Sequence, residues 1–274
     1  MMKNKLSVAL MILVTVIAFT LVSCGETLPE MTVEILETGD SDCIVVRDES
    51  HTVFIDTADN DDYKQIYSHL TDLGISRIDA VILTHYDNDH VGSAADIVRD
   101  FDVAAVYGPD YVRSSAATRA LDSAMNEKGI EAVKLKSDTV LTYGQMNFAI
   151  GVPRASAYND ENDYSLIITL TYGDDKFLFL GDAVKTRMSE FNASSIGTRY
   201  DVVKFPHHGD YFKALKNFAQ FNQFSYGVSC VRNSGDVDAR LAKLISLAGA
   251  EDLRTSDGAV IFTSNGRTVS LAER

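Results

Sequence analysis

Positive charge is scarce in this sequence. Its 274 residues carry 25 Lys and Arg against 39 Asp and Glu, a formal net charge of −14, and no stripe of Lys or Arg interrupts the excess. Long nucleic acids are held non-specifically through many Lys and Arg contacts to phosphate. The balance therefore argues against long DNA as a ligand, although a bound cation can reverse the field inside a site. Proline and cysteine are also sparse. Four Pro and 17 Gly are scattered along the chain, no Pro-, Gly- or Ser-rich stretch divides it and no period repeats, so one domain is expected. Of the three Cys, Cys43 and Cys230 fall in apolar, strand-like runs and read as two buried thiols rather than a disulfide or a metal site. At 46% hydrophobic, the chain can bury a core of ordinary density.

The N-terminus has Lys3 and Lys5, then an uncharged run over 6–22, then Leu21-Val22-Ser23-Cys24-Gly25. That order is a targeting segment. An uncleaved membrane helix is one reading, since the run is near the lower length limit for spanning. The step at Cys24 resembles a bacterial lipobox, which implies cleavage before Cys24 and lipidation of that residue. Both readings leave the remainder outside the cytoplasm. The expected organisation is a signal peptide over 1–23, a tether over 24–30 and a hydrolase domain over 31–274. Losing Lys3 and Lys5 takes the net charge from −14 to −16.

Strand-like and helix-like segments alternate thereafter. Strands are predicted over 31–36, 43–47, 52–55 and 78–83, helices over 60–73, 91–101 and 114–128, with Tyr63, Ile66, Tyr67 and Leu70 forming the apolar stripe of the first helix. A hairpin over 165–172 and 176–180 turns at Gly173-Asp174-Asp175. Mixed elements in this order imply an α/β fold with sheets covered by helices.

Four of the six His lie in two short clusters, each directly after an apolar strand, where ligands gather in open α/β architectures. In His85-x-Asp87-x-Asp89-His90, alternate residues of a tight loop can aim imidazole nitrogen and carboxylate oxygen at a borderline metal such as Zn²⁺ or Mn²⁺. His207 and His208 precede Gly209, which lets backbone approach a ligand; sequence leaves open which of the two faces the metal. Asp182 ends the buried run Phe179-Leu180-Gly181, where an unpaired charge is costly. A bridging metal would satisfy it, and so would a role as a helix cap.

These motifs resemble the metallo-β-lactamase superfamily. His85-x-Asp87-x-Asp89-His90 followed by Val91-Gly92 is similar to its second metal motif, and Asp87 in place of the usual His is similar to the soluble hydrolase domain of ComEC-type competence proteins, which function in DNA uptake. Gly39-Asp40-Ser41-Asp42, Phe54-Ile55-Asp56-Thr57, Asn162-Asp163-Tyr164-Ser165-Leu166, Phe179-Leu180-Gly181-Asp182 and Val203-Lys204-Phe205-Pro206-His207-His208-Gly209 extend the match over most of the chain. The resemblance implies a four-layer αββα sandwich with two divalent ions, Zn or Mn. One would be held by His85 and Asp87, with Asn162 or Asp163 near the third ligand position, and the other by Asp89, His90 and a His of the 207/208 pair, with Asp182 bridging. Asp56 would orient the ligand loop and Asp89 also the attacking water. A Tyr-Gly-His-Pro segment of the competence type is replaced here by Asn233-Ser234-Gly235-Asp236-Val237-Asp238, so that His is missing.

A metal-activated water makes hydrolysis the expected reaction. The leading expectation is a surface-anchored phosphodiesterase or nuclease acting on small or short phosphodiesters, with Lys204 and Lys213 as helpers. A hydrolase of another ester or amide, and a binding lipoprotein that has lost turnover, are the alternatives.

Overall fold

The computed structural model describes residues 27–272; the signal peptide and the lipidation call at Cys24 lie outside them. The first half of the chain lays down β1 (Met31–Ile35), β2 (Cys43–Arg47), β3 (Thr52–Thr57), α1 (Tyr63–Asp72), β4 (Arg77–Ile78), β5 (Ala80–Ile82), α2 (Asn88–Val91), α3 (Ala94–Asp100), β6 (Asp102–Val103), β7 (Val106–Pro109), α4 (Ala116–Lys128) and β8 (Ala132–Leu135). The second half supplies β9 (Thr139–Tyr143), β10 (Met146–Gly151), β11 (Ile167–Tyr172), β12 (Asp175–Phe179), α5 (Lys185–Asn192), β13 (Arg199–Lys204), α6 (Lys213–Phe221), β14 (Gln223–Ser229), α7 (Ala239–Leu247) and β15 (Glu251–Arg254), before β16 (Val260–Ser264) and β17 (Val269–Leu271) return to the first sheet.

The strand order is β17-β16-β1-β2-β3-β5-β7-β8 in one sheet and β15-β14-β13-β12-β11-β10-β9 in the other. Each sheet is antiparallel on one side and parallel on the other, from β3 to β8 in the first and from β12 to β15 in the second. β1 and β3 are buried throughout, Glu34 and Asp56 included; β10 alternates buried and exposed residues because it lies near a sheet edge with one face wet. Three apolar clusters define the layers. Ile35, Ile55, Phe148, Phe177 and Phe262 pack between the sheets; Ile66, Val98 and Leu121 bind α1, α3 and α4 to the outside of the first; Met188, Phe218 and Leu241 bind α5, α6 and α7 to the outside of the second. Each such side chain contributes about 1.5–3 kcal/mol by leaving water. This is the four-layer αββα sandwich that the motifs imply.

Several local expectations hold and a few change. The Gly173-Asp174 turn joins β11 to β12 with Tyr172 opposite Asp175. Cys43 and Cys230 are free and buried. Tyr67 is 43% exposed and leaves the stripe of α1 to Ile66 and Leu70. The helix expected over 91–101 is broken in two, because α2 begins earlier, at Asn88, and the chain turns at Gly92-Ser93. A Cβ on Gly92 would lie 2.4 Å from the backbone N of Asn60, so glycine alone allows that approach. Within the expected tether, Leu28 donates its N–H to Asn265 O and packs on the inter-sheet core. Among the described residues no helix is long and apolar enough to cross a membrane.

Candidate metal centre

The parallel halves of both sheets end on one rim, and the predicted site residues follow those strand ends. Asp56 lies at the end of β3, His85 follows β5, Asp182 follows β12, and His208 follows β13. The backbone is unusual here. Asp56, His207 and His208 have positive φ, as does Gly181 at +52°, a region costly for any residue but glycine. A Cβ on Gly181 would stand 2.9 Å from both Cβ and Oγ1 of Thr84, so that glycine lets the two strand ends meet.

Four donors converge. Oδ2 of Asp89, Nε2 of His90, Oδ2 of Asp182 and Nε2 of His208 lie within 4.8 Å of one another. His208 Nε2 is 3.0 Å from Asp89 Oδ2 and 3.2 Å from Asp182 Oδ2, and His90 Nε2 is 3.2 Å and 3.6 Å from Asp182 and Asp89. A tetrahedral ion with bonds of about 2.0–2.1 Å has donor–donor edges of about 3.4 Å, so the spacing suits a cation. His90 is fully buried, yet its Nε2 makes no hydrogen bond of acceptable geometry among the described residues. The donor set of two imidazoles and two carboxylates suits a borderline divalent ion.

The opposite ring nitrogens fix the tautomers. His208 Nδ1 donates to Cys230 O at 3.2 Å and His90 Nδ1 to Asp56 Oδ2 at 2.8 Å, which points the Nε2 lone pairs into the cluster. Asp56 does more. Its Oδ1 accepts the Thr84 N–H and its Oδ2 the Thr84 hydroxyl, both at 2.7 Å. With its proton given to Asp56, the Thr84 hydroxyl can only accept from His85 Nδ1, 3.2 Å away. One fully buried carboxylate thus orients His85 and His90 together, a positioning role rather than contact with reacting atoms.

Electrostatics agree with a cation site. Burial opposes protonation of His208, but the carboxylates of Asp182 and Asp89 outweigh it and raise its pKa to about 10. Burial likewise opposes a charge on His90, and Asp182, Asp56 and Asp42 override it. Burial works against ionised Asp89 too, yet the His208 hydrogen bond and His90 bring it to about 2. The protons on the two imidazoles and a divalent ion compete for the same lone pairs. His85 differs: burial and the neighbouring His90 keep it neutral.

The sequence expectations divide on this geometry. His207 turns away, its Nδ1 2.8 Å from Asp210 Oδ2 on the exposed side. Asp89 and His90 lie in the single turn of α2 rather than a loop. His85 and Asp87 stand apart from the four-donor cluster. Asp163 is buried, but its Oδ1 accepts the Arg187 N–H at the start of α5; Asn162 sits in the single turn Glu161–Tyr164, its N–H held by Asp160. Lys204 is not a phosphate helper. It is fully buried, paired with Asp42 Oδ2 and donating to Gly181 O at 3.2 Å, while Lys213 is exposed at the start of α6. Asp42, Thr84 and Arg113 were not singled out as individual residues. Asp42 sits inside the Gly-Asp loop, and Thr84 is the neighbour of His85. Nothing in the sequence signals Arg113, 26 residues from its partner Asp87. The trio Asp42, Asp56 and His90 Nδ1 also converges, but Thr84, His90 and Lys204 already engage its carboxylates. A cavity of about 190 Å³ opens beside Arg113, lined also by Tyr86, Tyr111, Leu121, Met125 and Lys134. None of the four clustered donors lines it.

Fold and rim together define a class. The chain belongs to the metallo-beta-lactamase superfamily, whose family model matches residues 36–251. Among curated proteins it is similar to ComE operon protein 3 of Bacillus subtilis (strain 168), 28% identical over 157 residues, which make up 57% of this chain and 20% of that protein. The chain thus spans about a fifth of that relative's length. Among solved structures it is similar to the metallo-beta-lactamase fold protein YhfI from Bacillus subtilis, at 12% identity and TM-score 0.59, covering 86% of this chain and all of that one. It is also similar to Zn²⁺-bound PqqB from Methylobacterium extorquens, at 12% identity and TM-score 0.57, covering 81% and 97% of the two chains. At that identity the two structures speak for the fold alone.

Proposed function

We propose that the protein is a metal-dependent phosphodiester hydrolase, held outside the cytoplasm by a lipid on Cys24. The observation that carries the hydrolase reading is the convergence of Asp89, His90, Asp182 and His208 at one strand-end rim, with both imidazole tautomers fixed from behind. A Zn²⁺ or Mn²⁺ ion on these donors would supply Lewis acidity, lowering the pKa of a water from about 15.7 towards about 7 and polarising a phosphoryl oxygen. Asp89 is the most exposed of the four donors, so it can also accept a proton from an entering water. Asp56 and Thr84 hold His85 and His90 in place, and the Cys230 carbonyl does the same for His208. The motif resemblance to the hydrolase domain of competence proteins supports a phosphodiester, and the acidic surface favours a small or short one over long duplex.

A second reading keeps the fold and changes or loses the reaction. The segment that lacks the expected His favours it: Asn233 and Asp236 cap their own turn, and Asp238 caps α7 and pairs with Arg240. Turnover should be measured with added Mn²⁺ or Zn²⁺ on a model phosphodiester, a short single strand, plasmid DNA, a thioester and a lactam, with Asp89→Ala as control. The proposal expects cleavage of the first two that Asp89→Ala abolishes. No turnover on any phosphodiester would reject it. Lipid labelling of the full chain against Cys24→Ala tests the anchor, and unchanged labelling in the variant would discard it.

A further inference from the structure

Beyond the four-donor cluster, the row of sequence-predicted ligands ends at His85 and Asp87. His85 is fully buried, its Nε2 has no hydrogen-bond partner among the described residues, and Asp87 Oδ1 lies 3.8 Å away, too far for a hydrogen bond. Two donors do not close a coordination shell, since even catalytic sites use three protein ligands. Asp163 is bonded to the Arg187 N–H, so a third ligand would have to be Asp182, shared with the four-donor cluster.

A different cation is already there. Arg113, in the loop between β7 and α4, directs Nη1 at that same Asp87 Oδ1 and at Glu161 Oε2. Its loop is fixed on both sides. The Arg113 carbonyl accepts the Thr118 hydroxyl at 2.9 Å, the Tyr111 hydroxyl accepts the Tyr86 N–H at 2.9 Å, and the Tyr111 ring stacks on Tyr164 with centroids 4.2 Å apart. Both ion pairs run through one nitrogen, which leaves the rest of the planar fork for an anion. A divalent ion on Asp87 would share an oxygen with a guanidinium and be repelled by it.

We infer that Arg113 takes the place of a second metal: the chain binds one divalent ion tightly, and the guanidinium beside it grips an anionic, phosphate-like group of the substrate. Arg is suited to this because it stays charged and offers paired donors to phosphate oxygens. The substrate half of this inference rests on the hydrolase proposal; the metal half does not.

The test is metal content of the full-length protein after dialysis against fixed low-micromolar Zn²⁺ or Mn²⁺, with Arg113→Gln, Arg113→Lys and Glu161→Gln beside it. One ion per chain is expected in the wild type, the Lys variant and the Glu161 variant. Arg113→Gln frees Asp87 to act with His85 and a shared Asp182, and should take up a second ion as the free metal is raised. At metal levels that fill only the first site, inorganic phosphate should bind Arg113→Gln at least tenfold more weakly than wild type. Two tightly held ions in the wild type, or an Arg113→Gln protein with one ion and unchanged phosphate affinity, would overturn the inference. Stoichiometry is read without substrate, so an inactive one-ion protein would sink the hydrolase proposal alone, and an active two-ion enzyme would sink this inference alone.

Discussion

Replacing Lys204 by Met should cost the protein a large share of its stability. Lys204 is fully buried, Asp42 is 1% exposed, and the two form an ion pair that also touches Gly181 O and lies 3.8 Å from Asp182 Oδ1. The Met side chain fills the lysine stem's space but takes from Asp42 its hydrogen-bonded countercharge, leaving only the His90 and His208 Nδ1 atoms at 3.9 Å, too far for a hydrogen bond. Removing one partner of a buried pair costs about 3–5 kcal/mol, against a total of about 5–15 kcal/mol for a typical domain. At about 2–4 °C per kcal/mol for a chain of this size, the melting temperature should fall by roughly 6–20 °C. Denaturant unfolding is the assay, with a chelator present throughout, because bound metal adds its own stabilisation. The double variant Lys204→Met/Asp42→Asn removes the stranded charge and should recover more than about 1 kcal/mol relative to additivity. A single variant within about 1 kcal/mol of wild type, or a strictly additive double variant, would refute the reasoning.

Two further outcomes follow from groups behind and away from the cluster. Asp56→Asn puts an amide where one carboxylate accepts from Thr84 and His90; metal affinity should fall about 10–100-fold, read by competition with a chromophoric chelator, and an unchanged affinity would remove Asp56 from the account. Glu34 is buried against His69 Nε2 at 2.7 Å and Arg47 Nε at 2.8 Å. Burial opposes its ionisation, but these two partners hold its pKa below the ordinary 4.5. Its contribution is therefore complete above pH 4.5 and lost as pH falls through the lower folded-state value. Glu34→Gln should be less stable than wild type by about 1.5–3 kcal/mol at pH 7, with the gap closing in acid; a gap constant from pH 7 to pH 3 would contradict the assignment.

The layers and the rim were legible because they rest on local signals. Apolar runs ended in His or Asp at Asp56, His85, Asp182 and His208, and the architecture brings strand ends together. What sequence left open were side-chain directions. His207 and His208 are adjacent and chemically equal, and only the fold shows that His208 turns towards Asp89 and His207 towards Asp210. Lys204 ends an apolar run and reads as a phosphate helper, because its partner Asp42 lies 162 residues away. Asp163 fits the motif position, yet the start of α5 takes its carboxylate. Arg113 belongs to a loop without periodicity, so its place beside Asp87 comes from the packing of Tyr111 on Tyr164.

The central claim is a single cluster of Asp89, His90, Asp182 and His208 that holds a divalent ion, and the pair of adjacent histidines tests it most directly. Metal content should be measured on wild type, His207→Ala and His208→Ala dialysed side by side against the same buffered Zn²⁺. Wild type and His207→Ala should retain their ion while His208→Ala loses it, with all three folded by circular dichroism. Retention by His208→Ala together with loss from His207→Ala would contradict the cluster, and an ion absent from all three would contradict the metal centre itself.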